Sequence, residues 1–400
     1  TGRAATNGVV TKSWLTDPKL TFPEQIERVF GELGTFADQV LWPRADAPEA
    51  VLVLPLVLVA GWLLSRDGRR GWILVLLALL GVGLTLQSSY ANVHRNRYQA
   101  PFLAIGNGLA GATVVYLLGL AGERLAPTSN LVRRTLTGVG VVLLMMVPAR
   151  ELPVWSAVFA MDGADIRRHH VATGEWLAKN LPADAVVGLH DAGAMPYVSR
   201  HKRFLDIVGL GTNGAGRWYR SGPGSLFEYL DQLPAADRPT HWAIYDDWFE
   251  DVDILGRELH AITLERTSIA PNPVMRVLEA RGDHFGTGEG PWGTVPPGRV
   301  VDDVDLADLA SEDAHGFDHG ERPGPTRYMR APLPGGGEGG EGARWLRSAI
   351  SFDLQTVADA VLVLRVASRG PGAMTVLVNG VEAGTLALDG SDVLRDHQVV

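Results

Sequence analysis

The sequence predicts a membrane α-helical bundle with four visible spans, followed by an extracytoplasmic α/β domain and a truncated β-sandwich-like domain. Three observations predict it. Apolar residues crowd the stretch from about Ala50 to Ala149, whereas the flanks are polar and rich in Gly, Pro and Asp. After Asp162, helix-like stretches alternate with short β-rich runs, the pattern of a largely parallel sheet. Beyond Pro296, alternating apolar strands surround Asn379–Gly380, a strong hairpin signal.

Residues 1–49 read as an extracytoplasmic loop carrying an amphipathic helix. Thr21 followed by Phe22, Pro23 and Glu24 matches a helix start, and Ile26, Val29, Phe30, Leu33, Phe36 and Val40 recur at helical spacing. Such a helix fits the outer membrane surface or the side of the soluble domain. Four apolar segments follow, at about 50–65, 71–90, 101–121 and 132–149, each read as approaching the roughly 20 residues that cross a hydrocarbon core. In the third, Gly106, Gly108 and Gly111 with Ala104, Ala110 and Ala112 offer a small-residue packing face.

Short connections set the orientation. Arg66, Arg69 and Arg70 share one side with Arg124, Arg133 and Arg134, and the positive-inside rule makes that side cytoplasmic. The loop "NVHRNRYQAP" then lies outside, with His94, Arg95, Arg97 and Tyr98. Topology does not explain cations there. They either grip a phosphate at headgroup depth through charge-assisted hydrogen bonds or snorkel to lipid headgroups and loop carboxylates.

Residues 151–282 form the α/β domain, 283–298 a linker, and 299–400 the β-sandwich-like domain. His190 and Asp191 end one expected strand and Asp206 the next, where open α/β sheets place ligands, although structural hydrogen bonding is the first explanation for His190 and Asp206. No serine or cysteine stands in a nucleophile elbow, which argues against a hydrolase. Trp218, Tyr219, Tyr245 and Trp248 fit sugar stacking or core packing. His169 and His170, beside Arg167 and Arg168, would point about 100° apart on a helix, a poor shared metal site. The acidic run from Asp302 to Asp313 lacks the glycine and spacing of a calcium loop.

Composition narrows the function classes. Among 400 residues, 36 Lys plus Arg stand against 45 Asp plus Glu, so no overall charge draws nucleic acid. Cysteine is absent, which removes disulfides and thiolate metal sites from consideration. Starting at Thr1 without methionine and stopping in a strand, the chain reads as a fragment.

Together, "HRNRYQAPF" and "GEWLAKNLPADAVVGLHDAGAMPYVSRHKRFLDIVGL" resemble the C-terminal part of bacterial GT-C superfamily glycosyltransferases, over roughly Lys12 to Ala280. The resemblance implies transfer of a sugar from a polyprenyl-phosphate donor to an extracytoplasmic glycan, lipid or protein, with membrane lipids as surroundings. It implies that Arg97 and Tyr98, with His94 and Arg95 nearby, face the donor phosphate. His190, Asp191, Asp206, Trp218 and Tyr219, singled out above by their places in the α/β section, are the candidates for acceptor contact. The family's catalytic aspartate, and any divalent metal, would belong to an earlier outer loop outside this chain. The rival reading is a non-enzymatic, membrane-anchored envelope protein with a glycan-binding module.

Overall fold

The computed structural model describes residues 7–42, 50–66, 71–93, 96–200, 203–245, 249, 252–288, 298–322, 324–333 and 336–399. Two compact units divide the chain. One is helical (Lys12–Thr16 and Phe22–Asp165). The other is mixed, combining Thr1–Thr11 and Asp17–Thr21 with Ile166–Val400.

A short helix, α1 (Asn7–Lys12), opens the chain. The helical unit then holds α2 (Phe22–Phe36), α3 (Ala50–Arg66), α4 (Gly71–Leu86), α5 (Ala100–Leu125) and α6 (Asn130–Ile166). Among the described residues two helical runs, Ala100–Leu125 and Asn130–Asn180, are long and apolar enough to cross a membrane. This corrects the four-span bundle expected from sequence. At about 1.5 Å per residue, the 17 residues of α3 and 16 of α4 fall short of a hydrocarbon core of about 30 Å. The second expected span ran on to residue 90, but Gln87–Ser89 leave the helix to pair with Lys12–Trp14. Trp14 N donates to Gln87 O at 2.7 Å and Ser89 N to Lys12 O at 2.6 Å.

Val57 and Ala60 of α3, Val75 of α4, and Leu109 and Ala110 of α5 form the buried centre of this unit. The tightest glycine approaches fall outside the Gly106–Gly111 face. A Cβ on Gly81 would lie 2.1 Å from the Phe102 ring, whereas Gly108 meets open space. Many outward side chains stay apolar, with Leu80 63% and Leu84 67% exposed.

The mixed unit begins with a wide helical turn, Arg167–Val171, and α7 (Ala172–Asn180). Next come β1 (Val186–Leu189), α8 (Ala194–Val198), β2 (Arg203–Asp206), α9 (Ala215–Ser221), α10 (Pro223–Asp231) and β3 (His241–Tyr245). β4 (Leu255–Thr263) and β5 (Val274–Ala280) complete a five-stranded sheet of order β2-β1-β3-β5-β4. β1 pairs in parallel with β2 and β3, while β5 runs antiparallel to β3 and β4. The sheet is therefore mixed rather than largely parallel.

Strand alternation builds two cores. Trp242 and Ile244 join Leu226, Phe227 and Leu230 of α10, and Ala243 and Tyr245 join Leu177 of α7 and Met195 of α8. Helices thus cover both faces of the sheet. Gly188 admits the Trp242 indole, whose ring a Cβ would approach to 2.1 Å.

After α11 (Leu309–Ala314), the remaining strands are β6 (Thr326–Pro332), β7 (Glu338–Arg344), β8 (Val363–Val366), β9 (Pro371–Val378), β10 (Val381–Asp389) and β11 (Arg395–Gln398). They pair as three separate two-stranded ladders, β6–β7, β9–β10 and β8–β11, among the described residues. The β-sandwich is corrected accordingly, because a sandwich needs two facing sheets that bury a shared core. The β9–β10 strands remain largely exposed, and the β6–β7 hairpin packs on α10 instead.

That docking turns on glycine. Gly222 has φ +128°, and a Cβ there would sit 2.3 Å from Thr326 O. Thr326 is fully buried, accepting from Ser225 N at 2.8 Å and donating to Ser221 O at 3.1 Å. Gly222→Ala combines backbone strain with a backbone collision, so a loss of about 3 kcal/mol is expected in urea unfolding of the mixed unit. An unchanged midpoint would contradict this packing.

Candidate functional site

In the helical unit, cationic side chains converge just before α5. Arg97 Nη2 donates to the Tyr98 hydroxyl at 3.0 Å, with the guanidinium 4.9 Å from the ring centre. Lys12 Nζ reaches the same hydroxyl at 3.5 Å and lies 4.5 Å over the Tyr90 ring. Among the described residues neither cation has a carboxylate partner. Glu32 is occupied by neutral donors, accepting from Trp14 Nε1 at 3.2 Å and Asn92 Nδ2 at 2.7 Å. Burial raises the Tyr98 pKa, but Arg97 and Lys12 outweigh it and hold the phenol below its ordinary value.

Gln99 adds a second feature. It is fully buried, yet neither its Oε1 nor its Nε2 has a hydrogen-bond partner among the described residues. The helix end supplies little itself, because Ala100 N bonds Asn96 O and Phe102 N bonds Gln99 O. Asn96 bends the chain there, with φ +55°. Two cations without a carboxylate partner among the described residues suit an anion with several oxygens, such as a phosphate. His94 and Arg95 lie outside the described residues. Lys12 and Gln99 escaped the sequence reading; Lys12 is 86 positions from Tyr98, and no local pattern links them.

In the mixed unit the sheet creates a second site. From β1 the chain moves to β2 on one side and then returns to β3 on the other, so the strand order reverses beside β1. Ligands of open α/β sheets occupy the crevice beyond the strand ends at such a point. There His190 follows β1 and Tyr245 ends β3, their rings 4.4 Å apart. The wide turn contributes His169 and His170, both buried. His170 Nε2 lies 2.9 Å from Asp191 Oδ2 and 3.2 Å from the Tyr245 hydroxyl. Asp191 thus pairs with His170 across the chain. Among the described residues no group of three or more His, Cys, Asp or Glu is arranged to hold a metal ion.

Asp206, at the end of β2, organises its own loop. Its carboxylate accepts from Val208 N at 3.0 Å, Gly209 N at 3.2 Å and Gly211 N at 2.5 Å. Burial raises its pKa despite those bonds. Trp218 packs 5.8 Å from Tyr229, and Tyr219 packs against the core, so neither joins the histidine cluster. Trp248 lies outside the described residues. A shallow surface depression is lined by Arg168, Glu175, Trp176, Lys179, Asn180 and His260, with Trp176 and His260 stacked at 4.8 Å.

Burial lowers the His190 pKa to about 3; Asp191 opposes the shift, and His170 and His169 add to it. With the folded value below the unfolded 6.5, the unfolded chain protonates first. The stabilisation is present above pH 6.5 and lost as pH falls toward about 3. Relative to His190→Leu, the wild type should lose on the order of 2 kcal/mol between pH 6.5 and 5 in denaturant titrations. Parallel pH profiles would exclude a neutral buried imidazole.

A mixed α/β domain, five strands with helices on both faces, is the class that this sheet defines. A family described as a domain of unknown function (DUF8728) matches residues 164–283, from the end of α6 through β5. No curated protein and no solved structure matches the chain.

Proposed function

We propose that this chain is part of a membrane glycosyltransferase that passes a sugar from a polyprenyl-phosphate donor to a cell-envelope glycan, lipid or protein. The observation that carries the reading is the convergence of Lys12 and Arg97 on Tyr98, with no carboxylate partner among the described residues, at the start of a membrane-length helix. The resemblance in "HRNRYQAPF" supports the activity. Arg124, Arg133 and Arg134 gather where α5 meets α6, so the positive-inside rule assigns that end to the cytoplasm of a bacterial inner membrane. Arg97, at the opposite end of α5, then faces outward, as do the segments after the second span.

In this mechanism the donor phosphate binds between Arg97 and Lys12. When the glycosidic bond to phosphate breaks, negative charge grows on the departing oxygens and the two cations offset it. Tyr98, held by both, fixes their spacing. The resemblance assigns the base that deprotonates the acceptor hydroxyl to a segment outside these residues, and no residue here takes that role. A transfer assay on the full-length protein with polyprenyl-phosphate sugars, wild type against Arg97→Ala, tests the reading.

The Trp176–His260 depression favours a second reading, a membrane-anchored module that binds glycan without turnover. It expects Trp176→Ala to abolish polysaccharide binding and Arg97→Ala to change nothing.

A further inference from the structure

We propose that α2 lies in the plane of the membrane interface, with Phe22, Ile26, Phe30 and Leu33 sunk toward the lipid acyl chains. The inference rests on reading α5 as a membrane span. Phe22 is 71% exposed, Phe30 66% and Leu33 43%. With Ile26 they recur at spacings of four, four and three residues, which makes one stripe along the 15-residue helix.

The adjoining part of the apolar sector faces the protein. Phe36 is buried with Leu86 and Ala91, and Val40, Val82 and Leu103 pack around them. Leu86 is the last residue of α4, and Leu103 lies in the first turn of α5. Asn92 Nδ2 also bonds Glu32 O at 2.9 Å. These contacts hold α2 at the level where α5 begins.

A helix that crosses a bilayer meets the headgroups at its ends. An amphipathic helix fixed at that level, with an exposed aromatic stripe, meets the boundary between headgroups and acyl chains. Its charges point to the nature of the attraction. Glu24, Glu27 and Glu32 outnumber Arg28, so anionic lipid offers α2 no electrostatic gain. Apolar burial drives the contact, and zwitterionic lipid suffices.

The absence of cysteine makes a clean test available. Single-cysteine variants Phe30→Cys, Gly31→Cys and Leu117→Cys are labelled with bimane and reconstituted as full chains in phosphatidylcholine vesicles. The vesicles carry doxyl quenchers either near the headgroup or deep in the acyl region. Gly31 is exposed, with no atom within 4 Å of a Cβ, so it reports the polar side of α2, and Leu117 on α5 is 43% exposed. The shallow quencher should reduce the Phe30 label about twofold more than the Gly31 label, and the deep quencher should act on Leu117. Deep quenching at Leu117 with equal responses at Phe30 and Gly31 overturns the placement of α2 while leaving the span intact. No quenching at Leu117 removes the span and the inference with it. Shielding of the Phe30 label that follows protein concentration rather than lipid label would replace the membrane with a second copy of the chain.

Discussion

Arg97→Ala is expected to slow sugar transfer roughly 10- to 150-fold, the equivalent of one charge-assisted hydrogen bond to the leaving phosphate. Lys12→Ala should act in the same direction, and in the proposed clamp, where both cations serve one anion, the double variant should lose less than the product of the two. Arg97→Lys keeps the charge but not the fork, so partial activity is expected. Tyr98→Phe removes the hydroxyl on which Arg97 and Lys12 meet and should raise the donor KM more than it lowers kcat. Turnover under saturating donor, with membrane insertion checked in parallel, separates these outcomes. Wild-type turnover in Arg97→Ala with normal insertion would remove the phosphate clamp.

Alkaline destabilisation of the mixed unit should be comparably large. Glu228 of α10 and Asp305 are neighbouring buried carboxyls, and two such groups in one place favour a proton on the pair. Burial, then Asp305, pushes Glu228 well above the usual carboxylate range, and burial also raises Asp305 against bonds from Ala307 N and Asp308 N. Nearby, burial raises Glu341 to about 8 against the pull of Arg365, which keeps Asp396 Oδ1 at 2.9 Å as a counter-charge. Burial likewise lifts Glu312 to about 7 despite Arg344.

All four folded values lie above the unfolded ones. Their stabilisation is complete only below about pH 3.8, the lowest unfolded value, and is lost as pH rises through 7 and 8. The summed loss is on the order of several kcal/mol. Glu228→Gln keeps the acceptor for Gly342 N, now 2.6 Å away, without an ionisable proton, and with Glu341→Gln it should flatten the alkaline limb. Denaturant midpoints from pH 5 to pH 9 measure this, and a double variant as pH-sensitive as wild type would rule out protonated carboxyls in that cluster.

Several features were legible because short-range chemistry dictates them. Asn379 and Gly380 carry φ values of +51° and +79°, as a tight hairpin turn requires, and β9 and β10 pair around them. Helices α7 and α10 end at Asn180 and Asp231, just ahead of Pro182 and Pro234. The spacing of Ile26, Val29, Phe30 and Leu33 marked α2 as amphipathic, but whether each apolar residue faced protein or surroundings depended on which neighbours packed there. Apolar composition suggested four spans, yet helix length depends on where the chain stops, and Gln87–Ser89 stop α4 by pairing with Lys12–Trp14. Sequence adjacency grouped His190 with Asp191, whereas the fold brings His170 to that carboxylate.

The amino-acid order alone determined where the β9–β10 hairpin turns, where α7 and α10 end, which segments are apolar, and that cations stand beside the start of α5, because each depends on bonds and periodicities within a few residues. Only the tertiary structure decided that Lys12 joins Arg97 at Tyr98, that β1 and β3 bring His190 to Tyr245, and that Glu228 meets Asp305. Those contacts span tens of positions in the chain, and the free energy of burying the surfaces that hold them together belongs to no single segment.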